Sequence, residues 1–175
     1  MDNLQYSRSI DVHRISEYPE VQKVISYLLS LLKEGGLIKG SPRDKVLRHL
    51  KVVVLDLYIA YLGDPCLYVS YSRAKASYRK DQRLGKLFLG YGPMTTVVDG
   101  LNSLGYLEDH RGFYDRDRRT GFESRMRATS SLIDLINNYA VVPSMVSRED
   151  DEVIVLRGAN KEILPYEDTD EICNM

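Results

Sequence analysis

Between Pro93 and Gly105 the apolar residues Met94, Val97, Val98, Leu101 and Leu104 recur at the spacing of one helix face, and Gly105 supplies a left-handed stop. Directly afterwards come Tyr106-Leu107-Glu108-Asp109-His110-Arg111, a strand candidate, then a polar turn from Asp115 to Gly121. Phe122-Glu123-Ser124-Arg125-Met126-Arg127-Ala128 follows as a second strand candidate. A short one-sided helix running straight into a β-hairpin limits the chain to folds in which the helix packs on the sheet that follows it. The other side of the helix displays Thr95, Thr96, Asp99, Asn102 and Ser103, all short and hydrogen-bonding.

Two longer helices precede this unit. From Tyr18 to Glu34, Val21, Val24, Ile25, Leu28, Leu31 and Leu32 recur at helical spacing, with Pro19 in the first turn and Gly35-Gly36 past the end. The second begins at Ser41-Pro42 and turns Leu47, Leu50, Val54, Leu57, Tyr58 and Tyr61 inward until Gly63-Asp64-Pro65. Its Val52-Val53-Val54 triplet favours strand locally, so a break there is the alternative. Leu67 to Tyr71 alternates as a short strand does, and Arg73 to Arg83 reads as a polar helix or loop. Thr129-Ser130-Ser131 caps a further helix carrying Leu132, Ile133, Leu135, Ile136 and Tyr139, which ends near Asn137-Asn138 ahead of Pro143. Glu152 to Leu156 and Glu162 to Leu164 read as a final hairpin before an acidic tail. The expected organisation is an arm over 1–17, one domain over 18–140, and a hairpin and tail over 141–175.

With 175 residues, 43% of them apolar and 28% charged, the chain has enough material for one globular core. Its apolar runs fall short of the roughly 20 residues that a membrane helix needs. Met1-Asp2-Asn3 does not begin a secretory signal, and Cys66 and Cys173 are too few for a disulfide framework, so a cytoplasmic location is expected. The net charge of −1 hides an uneven distribution. Residues 66–129 hold twelve Lys/Arg against seven Asp/Glu, whereas residues 130–175 hold three against ten. A basic middle with an acidic end suits a core that binds polyanions.

The basic residues of that middle segment concentrate in the hairpin. Arg111, Arg116, Arg118, Arg119, Arg125 and Arg127 lie within 17 residues, and all are Arg rather than Lys. A guanidinium suits bidentate phosphate contact and insertion into a narrow minor groove. Strand alternation sends Arg125 and Arg127 to one face and Ser124, Met126 and Ala128 to the other, so the two arginines are expected to form an exposed basic edge while Met126 packs inward. Asp115 and Asp117 are placed to pair with the tip arginines instead, which is the alternative reading of the loop. Arg73, Lys75, Arg79 and Lys80 add a second basic stretch. The helix itself has no Arg or Lys, and Asp99 repels phosphate unless it accepts from a cytosine amino group.

The run Thr95-Thr96-Val97-Val98-Asp99-Gly100-Leu101-Asn102-Ser103-Leu104-Gly105-Tyr106-Leu107-Glu108 resembles the recognition helix and first wing strand of winged helix-turn-helix proteins. With Gly112-Phe113-Tyr114-Asp115-Arg116 and Ser124-Arg125-Met126-Arg127-Ala128-Thr129 added, it is similar to the winged-helix domains of phage- and plasmid-borne DNA-binding proteins, replication-initiator-like ones included. The resemblance covers about half the chain. It implies an α+β, mainly helical fold in which Thr95, Thr96 and Asn102 face the DNA groove while Arg125, Arg127 and the tip arginines touch the backbone. It also implies double-stranded DNA as partner, in replication initiation or transcriptional regulation. The helix expected before the recognition helix is not evident in Arg73 to Gly92, where Gly85, Gly90 and Gly92 stretch the usual short turn.

Enzymatic readings find little support. His13, His49 and His110 are scattered without metal-ligand spacing, and no phosphate-binding loop, nucleophile elbow or Cys-His arrangement occurs, so neither catalysis nor a cofactor is expected. The apolar surface of the two long helices suggests a homodimer, able to address successive major grooves about 34 Å apart. A protein-interaction module on the same scaffold is the alternative function, and a nucleic-acid-processing enzyme a weaker one.

Overall fold

Pro19 opens the first helix where a missing N–H costs nothing, because the first-turn amides have no intrahelical acceptor. The computed structural model describes residues 18–38, 43–66, 68–71, 73, 91–122 and 124–146. These form α1 (Pro19–Glu34), α2 (Arg43–Gly63), β1 (Val69–Tyr71), α3 (Tyr91–Ser103) and β2 (Leu107–His110). There follow β3 (Phe113–Asp115), β4 (Thr120–Phe122), β5 (Ser124–Ala128), α4 (Ser130–Asn138) and the single turn α5 (Pro143–Val146). The fold is α+β and mostly helical. The expected arm, the C-terminal hairpin and the acidic tail lie outside the described residues, as do Lys75, Arg79 and Lys80. Among the described residues no helix is long and apolar enough to cross a membrane.

α1 buries Val21, Val24, Ile25, Leu28, Leu29 and Leu32. The stripe is the expected one except that Leu29 takes the fully buried place and Leu31 sits at its margin. α2 runs through the centre of the molecule, in contact with α1, α3, α5 and β5. Every residue from Val52 to Tyr58 is buried, Asp56 included, and the Val52-Val53-Val54 triplet stays helical. Burying three valines at roughly 1.5–3 kcal/mol each outweighs a helix-propensity deficit of a few tenths per residue. His49, also buried, donates from Nδ1 to the Lys45 carbonyl one turn back.

The sheet has the antiparallel order β1-β5-β2, with β3 and β4 paired separately as a two-stranded hairpin between β2 and β5. Val69 faces Met126 across one side of β5, while Leu107, Glu108, Asp109 and His110 face Ala128, Arg127, Met126 and Arg125 across the other. Period-2 alternation turns Val69, Tyr71, Leu107 and Met126 into the core, where none is more than 2% exposed. The second strand candidate is divided: β4 ends at Phe122 and β5 starts at Ser124, whose hydroxyl accepts from the Gly112 N–H at 2.9 Å across the hairpin's base.

α3 begins at Tyr91, two residues before the Pro93 start that the sequence suggests, and leaves Pro93 within its first turn. Met94, Val97, Val98 and Leu101 are fully buried and Leu104 partly so. Gly100 allows α1 to approach closely, since a Cβ there would lie 2.5 Å from Leu32 Cδ2. Gly105 adopts φ +78°, and the Tyr106 N–H reaches back to the Leu101 carbonyl at 2.9 Å, closing the helix and starting β2. Thr129 precedes α4 as expected, but its hydroxyl does not cap that helix. It donates to the Gly105 carbonyl at 2.7 Å and so ties the start of α4 to the end of α3. Pro143, expected only as a stop signal, opens α5.

Candidate functional site

At about 100° per residue, Thr95, Thr96, Asn102 and Ser103 all fall within about 60° of Asp99 on the side of α3 away from its apolar stripe. Asn102 and Ser103 are exposed, and Thr95, Thr96 and Asp99 are half-buried. The Thr95 hydroxyl donates to the Gly92 carbonyl at 3.0 Å. Asp99, with 48% of its side chain exposed, stands at the centre of this small polar face.

Behind Asp99 lies a buried polar network that the sequence reading did not anticipate. Alternation places Asp109 on the inward face of β2 with Leu107, and its side chain is 3% exposed. The Tyr71 hydroxyl donates to Asp109 Oδ1, and Arg73 Nη2 donates to Asp109 Oδ2 at 2.9 Å. Arg73 also donates from Nε to the Tyr71 hydroxyl oxygen at 2.8 Å and from Nη2 to Asp99 Oδ1. One guanidinium thus links β1, β2 and α3. Burial opposes the charge on Arg73, but hydrogen bonds to Asp99 and Tyr71 and the charge of Asp109 outweigh it, so its pKa lies above the ordinary value. Burial, followed by the bond to anionic Asp109, pushes the Tyr71 phenol above its ordinary 10.0.

Arg125 and Arg127 do not form the exposed basic edge expected of them. They are 9% and 6% exposed. β5 is the central strand, so side chains pointing away from the helices lie among those of both neighbours. Arg127 donates from Nε to Glu108 Oε2 at 2.9 Å and stacks its guanidinium 4.7 Å from the centre of the Tyr68 ring. Tyr68 in turn meets His110 edge-on, its hydroxyl 3.3 Å from His110 Nε2. The other alternation expectation holds, and Met126 points inward.

The hairpin tip behaves differently. Arg116, Arg118 and Arg119 are all exposed in the four-residue turn between β3 and β4, and Arg119 adopts φ +51°, a left-handed conformation unusual for a residue with a Cβ. Arg111 at the hairpin's base is 70% exposed, with Nη2 3.7 Å from Asp99 Oδ1. The base of the hairpin therefore sits against the middle of the polar face of α3.

Of the expected binding residues, the structure brings Arg111 and Arg73 together with the α3 face and places Arg116, Arg118 and Arg119 on an exposed turn. It withdraws Arg125 and Arg127 into the sheet. The residues missed were Tyr71, Asp109, Glu108 and Tyr68. One signal for them was present: a carboxylate two residues after Leu107 in a strand must point inward and requires a buried cation. Comparison with protein-family models, with curated proteins and with solved structures finds no match for this chain.

Proposed function

We propose that this chain is a winged-helix protein that binds duplex DNA, with α3 as its recognition helix and the β3–β4 hairpin as its wing. The observation that carries the reading is the Arg111–Asp99 contact, which joins the hairpin's base to the polar face of α3. A helix face and a basic turn held on one side of a molecule suit simultaneous contact with groove and phosphates. The sheet order β1-β5-β2, with a helix between β1 and β2 and a hairpin between β2 and β5, supports the same reading. The phosphate-contacting residues are then Arg111, Arg116, Arg118 and Arg119, while Arg125, Arg127 and Arg73 brace the sheet. The role is one of binding rather than catalysis.

Fluorescence anisotropy with random-sequence duplex across a potassium chloride series tests this. The wild type should bind with a steep salt dependence. Replacing Arg116, Arg118 and Arg119 together by Ala should flatten the log–log slope by about 0.9 for each phosphate that is no longer neutralised, hence by up to about 2.7. The alternative, a protein-interaction module, draws on the neutralisation of Arg73 and Arg127 by carboxylates. Absence of duplex binding by the wild type would leave that alternative standing and overturn the first.

A further inference from the structure

The polar face of α3 has an anion at its centre, which is a liability for a surface that meets phosphates unless the anion is itself a reading element. The two ion pairs of Asp99, to Arg73 and to Arg111, both fall on Oδ1. Among the described residues Asp99 has no other hydrogen bond or ion pair, so Oδ2 carries none there. The side chain is nevertheless half-exposed, and Arg73, which grips it, is held by a carboxylate that is 3% exposed and by the Tyr71 hydroxyl. Asp99 is therefore an oriented acceptor whose charge is offset from behind and from the side. A solvated surface aspartate has no such support.

We infer that Asp99 is a specificity-determining residue that reads cytosine in the major groove, its Oδ2 accepting from the cytosine N4 amino group, with Arg73 as the positioning residue. This rests on the DNA-binding reading above. Of the four bases, only cytosine and adenine present an amino donor to the major groove, and adenine places an acceptor, N7, beside its donor. A carboxylate has no proton to offer that acceptor at neutral pH, so cytosine suits it best. The neighbours Thr95, Thr96, Asn102 and Ser103 are short enough for the helix backbone to come within reach of the base edges.

The substitution Asp99→Asn gives the sharpest test. With its oxygen retained by Arg73, an asparagine presents an amide N–H₂ where Oδ2 stood, turning an acceptor into a donor. Selection from a pool of random-sequence duplexes by the full chain should return sites with one C·G pair favoured by about tenfold over the alternatives. Asp99→Asn should lose that preference in favour of bases that present an acceptor to the major groove, guanine, thymine or adenine. Asp99→Ala should bind with no preference at that position. Arg73→Ala should weaken the cytosine preference while leaving the salt slope unchanged, and Arg73→Lys should restore part of it. A purely structural role for the Arg73–Asp99 pair alters thermal stability in these variants but not base preference. If the wild type binds duplex yet selects no cytosine, or if Asp99→Ala keeps the wild-type site, this inference fails and DNA binding stands. If the wild type enriches no duplex at all, both fail.

Discussion

Arg73 and Arg127 on one hand, and Arg116, Arg118 and Arg119 on the other, are the same side chain put to opposite uses. Arg127 lies on the central strand β5, and Arg73 lies two residues past the end of β1. Arg73 meets Asp109 and Asp99, and Arg127 meets Glu108 and the ring of Tyr68, so each is enclosed by partners the sheet brings to it. The other three are exposed on the four-residue turn between β3 and β4. Counting arginines along a basic segment therefore overstates the charge offered to a partner. What matters is which carboxylates and rings the fold brings to each one.

The largest effect that can break this contrast comes from Asp109→Ala. It strips a 3%-exposed carboxylate from between Arg73 and Tyr71, leaving a guanidinium and a phenol short of an acceptor. A destabilisation on the order of 3 kcal/mol is expected in urea unfolding. A loss below about 1 kcal/mol would show that the network is ornamental.

Alkaline titration comes next. The folded-state pKa of Tyr71 is raised above its ordinary 10.0, so the folded chain holds the phenolic proton more tightly than the unfolded chain does. Stability from this group is thus fully present below about pH 10 and is lost as pH rises beyond it. The slope should approach about 1.4 kcal/mol per pH unit for each such tyrosine. Tyr58 and Tyr106 are shifted the same way, chiefly by burial, so Tyr71→Phe should reduce the alkaline slope without abolishing it. An identical pH profile for Tyr71→Phe and wild type would remove Tyr71 from the account.

The smallest effect concerns the turn. Arg119 holds φ +51°, which costs a residue with a Cβ roughly 1–2 kcal/mol. Glycine relieves that strain but adds entropy to the unfolded chain, so Arg119→Gly should stabilise the fold by about 0.5 kcal/mol. The same variant should bind duplex DNA more weakly. Opposite signs in the two measurements separate an arginine kept for a partner from one kept for the fold; a destabilised Arg119→Gly counts against this view of the turn.

Much of the architecture was legible because its causes are local. The stripes on α1 and α3 follow from residues three and four apart sharing a face, and Gly105 after Leu104 and Pro19 after Tyr18 act within a single turn. The hairpin after α3 was legible for the same reason. The orientation of Arg125 and Arg127 was half-legible: alternation correctly opposed them to Met126, but whether that face met water depended on β1 pairing with β5. No property of residues 124–128 reveals that a strand more than fifty residues earlier lies beside them. The candidate site divides in the same way. The polar face of α3 could be traced from Thr95, Asp99 and Asn102 alone, whereas the attachment of Asp99 to Arg73 required a crossing between distant elements.

From its residues alone this protein had the four longer of its described helices, their inward faces, the hairpin after Gly105 and the uneven distribution of its charge, because each depends on neighbours within a turn or two. Only the tertiary structure decided which arginines are enclosed and which are presented, and that Asp99 is gripped from behind. Ion pairing and burial are set by whichever chain segments the fold brings within a few ångströms, and strand register, not composition, makes that choice.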